Sequence, residues 1–267
     1  KLRLGTFMTI KDLNSVAWDH AVDQGDNPYT KVVSSEQVAA AKVGGWSVYL
    51  SDSKPVPREW FPRLEGTKVL CLASGGGQQA PILAAAGADV TLLDASVKQL
   101  AQDTYVAERD GLQIKTFEGD MADLSAFEDN SFDLIFNPVS TLFVPDLKPI
   151  WQECSRVLKS GGILMTGFMN PDEFIFDAEA LDDDGIFVVK YPLPYIEYET
   201  LNPEELRERK QNKQMFHFSH TVETQLGGLL KAGFVITGFY EDRRTGEDGN
   251  PIRFYIPSYY VVKAQKL

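Results

Sequence analysis

The sequence contains little cysteine and no long apolar segment. Only Cys71 and Cys154 occur, both in apolar patterns, so neither a disulfide framework nor a metal site is indicated. No apolar run approaches the roughly 20 residues that a bilayer-spanning helix needs. No charged segment followed by an apolar one opens the chain, as in a secretory signal. We therefore expect a cytoplasmic protein that does not enter a membrane and holds no metal.

Positive charge is also scarce. The chain has 26 Lys and Arg against 38 Asp and Glu, a formal net charge of −12. A protein that binds a nucleic-acid backbone needs Lys and Arg to neutralise phosphates. The basic cluster at 207–210 is diluted by neighbouring acids, which is typical of a solvated helix face. We therefore expect that nucleic acid is not the substrate.

What the sequence does have is an apolar strand that runs directly into three glycines. Residues 68–77 read KVLCLASGGG, a helical pattern covers Gln78 to Ala86, and a second apolar strand, Ala88 to Leu93, ends on Asp94. This order predicts a βαβ unit with a glycine turn after its first strand. Glycine lets a backbone approach a ligand where a Cβ would collide. Asp94 is placed to accept hydrogen bonds from two ribose hydroxyls, so the pattern predicts a nucleoside site.

The glycine spacing alone does not identify the nucleoside. Gly75, Gly77 and Ala80 fit the G-x-G-x-x-A form of the dinucleotide fingerprint. A nicotinamide-dependent oxidoreductase is therefore one alternative. Such an enzyme would need a Tyr-x-x-x-Lys pair or a similar acid at the hydride site, and we find no such pair between the strand at 163–168 and the strand predicted at 259–264, inside which Tyr259 and Lys263 have this spacing.

Three further blocks follow the glycine loop in a consistent order. A third strand, residues 113–117, leads to Gly119-Asp120-Met121, and a fourth strand runs through residues 131–140 into a loop. A helix over 147–158 and the turn KSGG then precede a fifth strand, residues 163–168. Polar groups at the carboxyl ends of parallel strands mark the ligand edge of an open sheet. With the glycine loop and Asp94, these blocks resemble the class I S-adenosylmethionine (SAM)-dependent methyltransferases, most clearly over residues 66–168.

The resemblance implies a fold, a cofactor and an activity. The fold is α/β, a doubly wound and mostly parallel seven-stranded sheet, closed by an antiparallel pair that we place at 234–240 and 259–264. The cofactor is SAM, whose methyl group passes by in-line displacement to an O, N or C atom of an acceptor. The charge balance favours a small-molecule acceptor. A SAM-binding protein without catalytic activity is the second alternative.

The resemblance also implies which residues contact SAM. The glycine loop lies under the methionine part, the acid after strand two holds the ribose hydroxyls, and the acid after strand three contacts the adenine amino group. The residues after strand four line the gap between the sulfonium and the substrate. The cofactor residues so predicted are Ala73, Ser74, Gly75, Gly77, Asp94, Ala95, Asp120, Met121, Asn137, Pro138 and Val139, with Ser140 beside them.

Two positions depart from the family pattern. Cys71 stands where the family usually has an acid at the start of the glycine loop block, and Ala73 stands where it has a glycine. The missing carboxylate leaves the methionine ammonium without its usual anchor. Another acid or a backbone carbonyl would have to replace it.

The chain divides into four predicted segments. Residues 1–65 form an N-terminal helical lid and residues 66–168 form the SAM-binding core. Residues 169–218 are an insertion after strand five, aromatic around 191–198, which we interpret as a substrate lid. Residues 219–267 complete the core sheet. The competing interpretation of the insertion is a surface hairpin used for dimerisation, and the sequence leaves the oligomeric state open.

Few residues are candidates for a general base, which is needed only when the acceptor loses a proton. His20 lies near the N-terminus, where this family often folds a lid over SAM, and His217 lies at the end of the insertion. His220 is interpreted as a residue at a helix start. No Ser-His-Asp order, Cys-His pair or metal-ligand spacing is present, so His20 and His217 are the predicted catalytic residues.

Overall fold

The computed structural model describes residues 8–245 and 251–267, and within them one seven-stranded sheet organises the chain. The strands are β1 (Lys68–Leu72), β2 (Asp89–Asp94), β3 (Ile114–Glu118), β4 (Phe132–Asn137), β5 (Leu158–Met169), β6 (Phe234–Asp242) and β7 (Tyr259–Lys266). Their order is β3-β2-β1-β4-β5-β7-β6, and β7 runs antiparallel to both of its neighbours. The predicted doubly wound, mostly parallel sheet and its late antiparallel pair are confirmed.

Helices cover both faces of this sheet. The α-helices of the described residues are α1 (Ile10–Gln24), α2 (Ser35–Lys42), α3 (Gln79–Ala85), α4 (Val97–Asp110), α5 (Lys148–Val157), α6 (Ala178–Asp184), α7 (Glu197–Thr200), α8 (Pro203–Gln211) and α9 (Gly228–Lys231). Side chains of α2, α3 and α4 pack with Val69 and Cys71 on one face of the sheet. Side chains of α5 and α9 pack with Leu70 and Leu72 on the other face. Because successive strand residues point to opposite faces, β1 is apolar along its length and is buried on both sides.

The helices of the N-terminal segment begin at side-chain caps. Thr9 and Asp12 form a capping box at the start of α1, and Ser34 and Gln37 form one at the start of α2. The pattern of residues 35–43 predicts a helix capped by Ser34 or Ser35, and the structure has this helix as α2 with Ser34 as its cap. No helix in the described part of the chain is both long and apolar enough to span a bilayer.

Two elements differ from the sequence prediction. The sequence pattern predicts one helix over 221–232, whereas the structure has a π-helical turn, Glu223–Gly227, followed by the short α9. A Cβ added at Gly228 would lie 2.8 Å from Trp151 Cδ1, so this glycine allows α9 to pack closely on α5. The pattern of residues 185–191 predicts a strand, whereas the structure has there a single bridge, between Phe176 and Val189.

Candidate active site

A cavity of about 560 Å³ lies at the carboxyl ends of β1, β2 and β4, where the sequence predicts the ligand site. Side chains of α1, two N-terminal loops and the end of the insertion cover it. The residues that line it include Lys11, Asn14, Ser15, Trp18, Tyr29, Tyr49, Asp52, Ala73, Ser74, Gly75, Asp94, Ala95, Gln99, Asp120, Met121, Pro138, Val139, Ser140, Met169, Met215, His217, Arg244 and Tyr259. The cavity is therefore enclosed by segments that are far apart in the sequence.

Asp94 stands at the end of β2 and is held by two backbone N–H groups. Its Oδ2 accepts a hydrogen bond from Gly75 N at 2.9 Å, and its Oδ1 accepts one from Ser96 N at 2.9 Å. Removal from water raises the pKa of Asp94, although both of these N–H groups act to lower it. Each carboxylate oxygen has further acceptor capacity, so the group is fixed in place and still able to bind hydroxyl donors.

Asp120 stands at the end of β3, next to β2. Its Oδ1 accepts a hydrogen bond from Ala122 N at 2.9 Å, which forms a tight turn. Gly119 N donates to Asp94 O at 2.9 Å and so joins the two strand ends. Met121 is buried and belongs to the apolar cluster that includes Leu93. The geometry thus brings Asp94, Asp120 and Met121 to one wall, as predicted.

The glycine loop is packed against protein on the side away from the cavity. Gly76 and Gly77 have positive φ values of 119° and 72°, which side chains rarely adopt. A Cβ at Gly76 would lie 2.6 Å from Tyr29 O, and one at Gly77 would lie 2.6 Å from Val32 Cγ1. The sequence-based reason for these glycines was close approach of a ligand. At positions 76 and 77 the structure gives a different reason, which is close approach of the N-terminal segment.

Ala73 carries the other departure from the family pattern. Its φ is 46°, in the left-handed region where the family has glycine. Ala73 N donates to Leu93 O at 2.8 Å, which ties the end of β1 to β2. The chain therefore keeps the backbone shape of the glycine position with an alanine.

A carboxylate that the sequence reasoning missed lies behind this loop. Asp103 of α4 has no exposed surface, and its Oδ2 accepts hydrogen bonds from Gly76 N at 2.9 Å and Gly77 N at 3.0 Å. Burial raises the pKa of Asp103 to about 8, against the lowering effect of the two glycine N–H groups. Its signal in the sequence is an acid inside the apolar stripe that Leu100 and Val106 form on one face of α4.

Two predicted cofactor residues stand behind the cavity wall. Gly77 faces Asp103 with its N–H, and its carbonyl accepts from Val33 N at 2.9 Å. Asn137 is fully buried and donates from Nδ2 to Leu72 O and to Ser140 Oγ. Neither residue is among those that line the cavity, so direct contact with a ligand there is not supported for either of them. Pro138, Val139 and Ser140 do line it.

The two predicted catalytic histidines differ in position. His217 lines the cavity, and its Nδ1 lies 3.2 Å from Oε2 of the buried Glu197. Burial acts to raise the pKa of Glu197, but His217 and the ion pair with Arg209 hold it below its ordinary value. His20 is not among the lining residues. It follows Trp18 by two positions, about 200° round α1, so it points away from the face that Trp18 presents to the cavity.

His220 has a structural setting. Its Nε2 lies 2.9 Å from Val144 O and 3.1 Å from Thr141 O, and the side chain is buried. Burial lowers the pKa of His220, which favours the neutral ring. This residue ties the start of the C-terminal segment to the loop after β4.

A further set of residues lies where β5 ends and β7 begins. Its place in the cavity wall was not predicted from the sequence. Tyr29 and Tyr259 line this part of the cavity together with Asp52 and Arg244. Tyr29 Oη lies 3.5 Å from Asp52 Oδ1, and burial together with the charge of Asp52 raises the pKa of Tyr29. Arg244 is within 3.3 Å of Glu173 Oε2. Aromatic rings and charges of both signs thus meet at this end.

The aromatic run of the insertion does not form the cavity wall that we expected from it. Tyr191 and Tyr195 pack on each other, with ring centroids 5.0 Å apart, and Tyr198 packs on Phe218. None of the three tyrosines is among the lining residues. The insertion reaches the cavity through Met169, Met215 and His217, at its two ends. Its tyrosines form a local core because the insertion must bury apolar surface of its own.

Unpaired polar atoms in the wall fit a ligand of the SAM type. Ser74 Oγ and Gln99 Oε1 are buried, line the cavity, and have no hydrogen-bond partner among the described residues. Buried polar atoms are normally paired, so such atoms indicate a missing partner. A hydroxyl and an amide beside two carboxylates suit a nucleoside that carries an amino-acid tail.

Comparison with known proteins agrees with this geometry. The sequence profile of a family described as a methyltransferase domain matches residues 70–166. The chain is 47% identical over 254 residues to the uncharacterized methyltransferase YbaJ of Bacillus subtilis, which covers 95% of this chain and 97% of that protein. It is 38% identical over 102 residues to a sterol 24-C-methyltransferase of Gibberella zeae, over 37% of this chain and 26% of that one.

The fold is also found among solved structures. A SAM-dependent methyltransferase from Mesorhizobium loti superposes with a TM-score of 0.60 at 19% identity, covering 78% of this chain and 95% of that one. At this identity the likeness concerns the fold alone.

Proposed function

The chain belongs to the class I SAM-dependent methyltransferases, and we propose that its methyl acceptor is a small molecule held inside the cavity. The observation that carries this proposal is the covering of the site by α1, the N-terminal loops and the ends of the insertion, which leave it only partly open. Helix α1 covers the adenine side, and Asn14 of that helix bonds through Nδ2 to Phe143 O at 2.9 Å and to Phe216 O at 3.0 Å. One side chain thus ties the N-terminal segment to the loop after β4 and to the insertion. A polymer would need an open groove at this edge.

The proposed cofactor contacts follow from the wall of the cavity. Asp94 is positioned to accept the ribose hydroxyls, because its carboxylate is already oriented by Gly75 and Ser96. Asp120 and Met121 suit the adenine amino group and ring, respectively. Ser74 and Gly75 suit the methionine part. When bound, SAM supplies a methyl group already activated by its positive sulfur.

The chain itself supplies orientation and exclusion of water. Holding two reacting groups in line contributes on the order of 7–11 kcal/mol in favourable cases. The Trp18 ring packs edge-on against Phe143, with centroids 5.3 Å apart, and closes the site over the loop after β4. Apolar surface around the acceptor comes from Leu142, Val144 and Met169. We propose that these groups hold the acceptor atom against the methyl carbon.

His217 is the better candidate for a general base, if the acceptor loses a proton. Glu197 accepts from the backbone N of His217 at 2.8 Å and lies 3.2 Å from its Nδ1. This arrangement fixes the ring and leaves Nε2 as the nitrogen able to take a proton. A positioned base contributes about 10²–10⁴-fold to rate. We therefore expect His217→Gln to lower kcat while the affinity for SAM stays within about twofold of the unsubstituted protein.

The net charge and one relative support a small-molecule acceptor. A net charge of −12 gives no general attraction to phosphate backbones. The Gibberella zeae relative is named for a sterol, which is a small molecule, although it matches only the core of this chain. The nicotinamide alternative is set aside by the family to which the chain belongs.

A transfer assay tests the proposal. SAM labelled on its methyl group is incubated with the protein and with separate pools of small metabolites, tRNA and proteins. We expect label in the small-molecule pool, and its loss with Asp94→Ala as the matched inactive control. Label in tRNA or protein, with none in small molecules, would defeat the proposal.

A further inference from the structure

The carboxylate of Asp103 touches the glycine loop from the rear and not from the cavity. Its Oδ2 is the shared acceptor of Gly76 N and Gly77 N, at 2.9 and 3.0 Å. Asp103 lies 27 and 26 positions from its two partners, on α4. The contact therefore clamps the β1–α3 turn to the helix that follows β2.

Asp94 holds the same loop from the opposite side. Its Oδ2 accepts from Gly75 N, the residue directly before the pair that Asp103 holds. Three successive backbone N–H groups thus point at two carboxylates. Gly76 N–H and Gly77 N–H point to the rear, and Gly75 N–H points to the cavity side. The orientation of Ser74 and Gly75 toward the cavity therefore depends on the bonds to Asp103 and on the bond to Asp94.

Burying the carboxylate of Asp103 costs free energy, and its two hydrogen bonds do not fully offset this cost. The side chain has no exposed surface, and Oδ1 has no hydrogen-bond partner within residues 8–245 and 251–267. Burial and the nearby charge of Asp94 raise the pKa of Asp103 to about 8. The charge of Asp103 in turn reinforces the effect of burial on Cys71, whose thiol pKa is raised. Buried acids with perturbed pKa values are concentrated at functional sites, although structural networks also contain them.

We propose that Asp103 is a positioning residue of the cofactor site, which holds the Gly76–Gly77 turn so that Ser74 and Gly75 fit the methionine part of SAM. Asp103 approaches the loop from the side of Cys71, the β1 position that carries no acid in this chain. The carboxylate that holds this turn therefore comes from α4. The proposal rests on the SAM site and is independent of which acceptor the enzyme uses.

Comparing the binding of two ligands distinguishes a positioning role of Asp103 from general damage to the fold. SAM carries the methionine part, whereas adenosine carries only the part that Asp94 and Asp120 face. Removing the shared acceptor with Asp103→Leu leaves Gly77 N–H unpaired and leaves Gly76 N–H with only its 3.2 Å bond to Gln99 O. We expect this variant to weaken SAM binding by about tenfold or more and to leave adenosine binding within about twofold. Isothermal titration of each ligand, without acceptor, measures both.

Two further variants complete the test. Asp103→Asn keeps an oxygen that can accept from both glycines, so SAM affinity should stay within about threefold. Asp133→Ala is the matched control, because its Oδ2 accepts from Lys68 N at 2.9 Å at the other end of β1. That variant should lower the melting temperature and leave both affinities unchanged.

The outcomes are distinguishable. Equal loss of SAM and adenosine affinity in Asp103→Leu would overturn the proposal in favour of a general structural role. Unchanged SAM affinity in a folded Asp103→Leu protein would overturn it outright. If Asp103→Leu does not fold, Asp103→Ala, which leaves room for water at the carboxylate position, carries the same expectation. Failure of the transfer assay would leave this binding test intact.

Discussion

The two carboxylates at the strand ends differ in how firmly the backbone holds them. Asp94 receives one N–H on each oxygen, whereas Asp120 receives one N–H in all. Asp94 is also part of the contact set that fixes the glycine loop. Its replacement therefore removes ligand contacts and loosens the loop, but replacement of Asp120 removes a single ligand contact.

We predict that Asp94→Ala weakens SAM binding more than Asp120→Ala does. A lost hydrogen bond to a charged group costs roughly 1.5–3 kcal/mol, and Asp94 is expected to make two to ribose. Isothermal titration of both variants checks the order. Equal losses, or a larger loss for Asp120→Ala, would show that the ribose does not sit at the end of β2.

The titration of Asp103 gives a second residue-scale prediction. Its pKa rises from the ordinary 3.8 to about 8 in the fold, so the folded state binds the proton more tightly than the unfolded state. The associated stability is fully present below pH 4 and is lost as pH rises through about 8. The charged groups that face Asp103 are the Asp94 carboxylate and, if ionised, the Cys71 thiol. Asp94 has a raised pKa as well and contributes with the same sign.

We expect the melting temperature of the ligand-free protein to fall between pH 6 and pH 9. In Asp103→Asn the fall should be smaller, because position 103 no longer titrates while Asp94 still does. Thermal unfolding of both proteins across this range measures the difference. Identical slopes would mean that Asp103 is not the group responsible.

At the scale of elements, the glycine loop and the N-terminal segment form one unit. Gln78 Nε2 donates to Pro28 O and Lys31 O, both at 2.8 Å, and Val33 N donates to Gly77 O. With the close approach of Tyr29 O to Gly76, these bonds hold residues 27–33 directly over the loop. The segment is therefore attached to the site by the Gln78 side chain, by one backbone bond and by a close approach that the glycine at position 76 permits.

We predict that Gly76→Ala disrupts the packing of residues 27–33 on the glycine loop. The added Cβ would meet Tyr29 O at 2.6 Å and would also require a φ of 119°. Gly111→Ala is the control, since its φ of 66° is also positive but nothing lies within 4 Å of the added Cβ. The control should cost about 1–2 kcal/mol of stability, and Gly76→Ala should cost more and also weaken SAM binding. Chemical denaturation and titration measure the two effects, and equal costs would contradict the contact.

At the scale of elements, some positions of the site could be predicted from the sequence and others could not. The strand ends were predictable because the ends of parallel strands meet at one sheet edge, and Asp94, Asp120 and Pro138 follow such ends directly. Asp103 was not predictable as a loop contact, because its partners lie a helix and a strand earlier. The tyrosines at 191–198 were assigned to the cavity wrongly, since composition does not distinguish a pocket wall from a local core.

At the scale of the whole molecule, α1 completes the site. Lys11, Ser15 and Trp18 face the cavity along one side of this helix. Asp19 Oδ1 accepts from Ser96 Oγ at 2.6 Å and from Lys98 N at 3.0 Å, which anchors α1 at the start of α4. The boundaries of the four segments remain a prediction, and these contacts support the lid that we propose over the adenine side.

Deleting residues 1–29 should therefore abolish SAM binding and leave the sheet folded. The deletion removes one wall of the cavity and little of the core, because Ala17 is the only apolar residue of the described part of this stretch that is buried. Far-UV circular dichroism checks folding and titration checks binding. Normal SAM affinity in the truncated protein would show that residues 1–29 do not act as a lid over the cofactor.

The central claim is that the edge formed by Asp94, Asp120 and the glycine loop binds SAM and no nicotinamide cofactor. Isothermal titration of the intact protein with SAM, S-adenosylhomocysteine and NAD tests it most directly. We expect saturable heat from SAM and S-adenosylhomocysteine, loss of that heat in Asp94→Ala, and none from NAD. Saturable heat from NAD and none from SAM would contradict it.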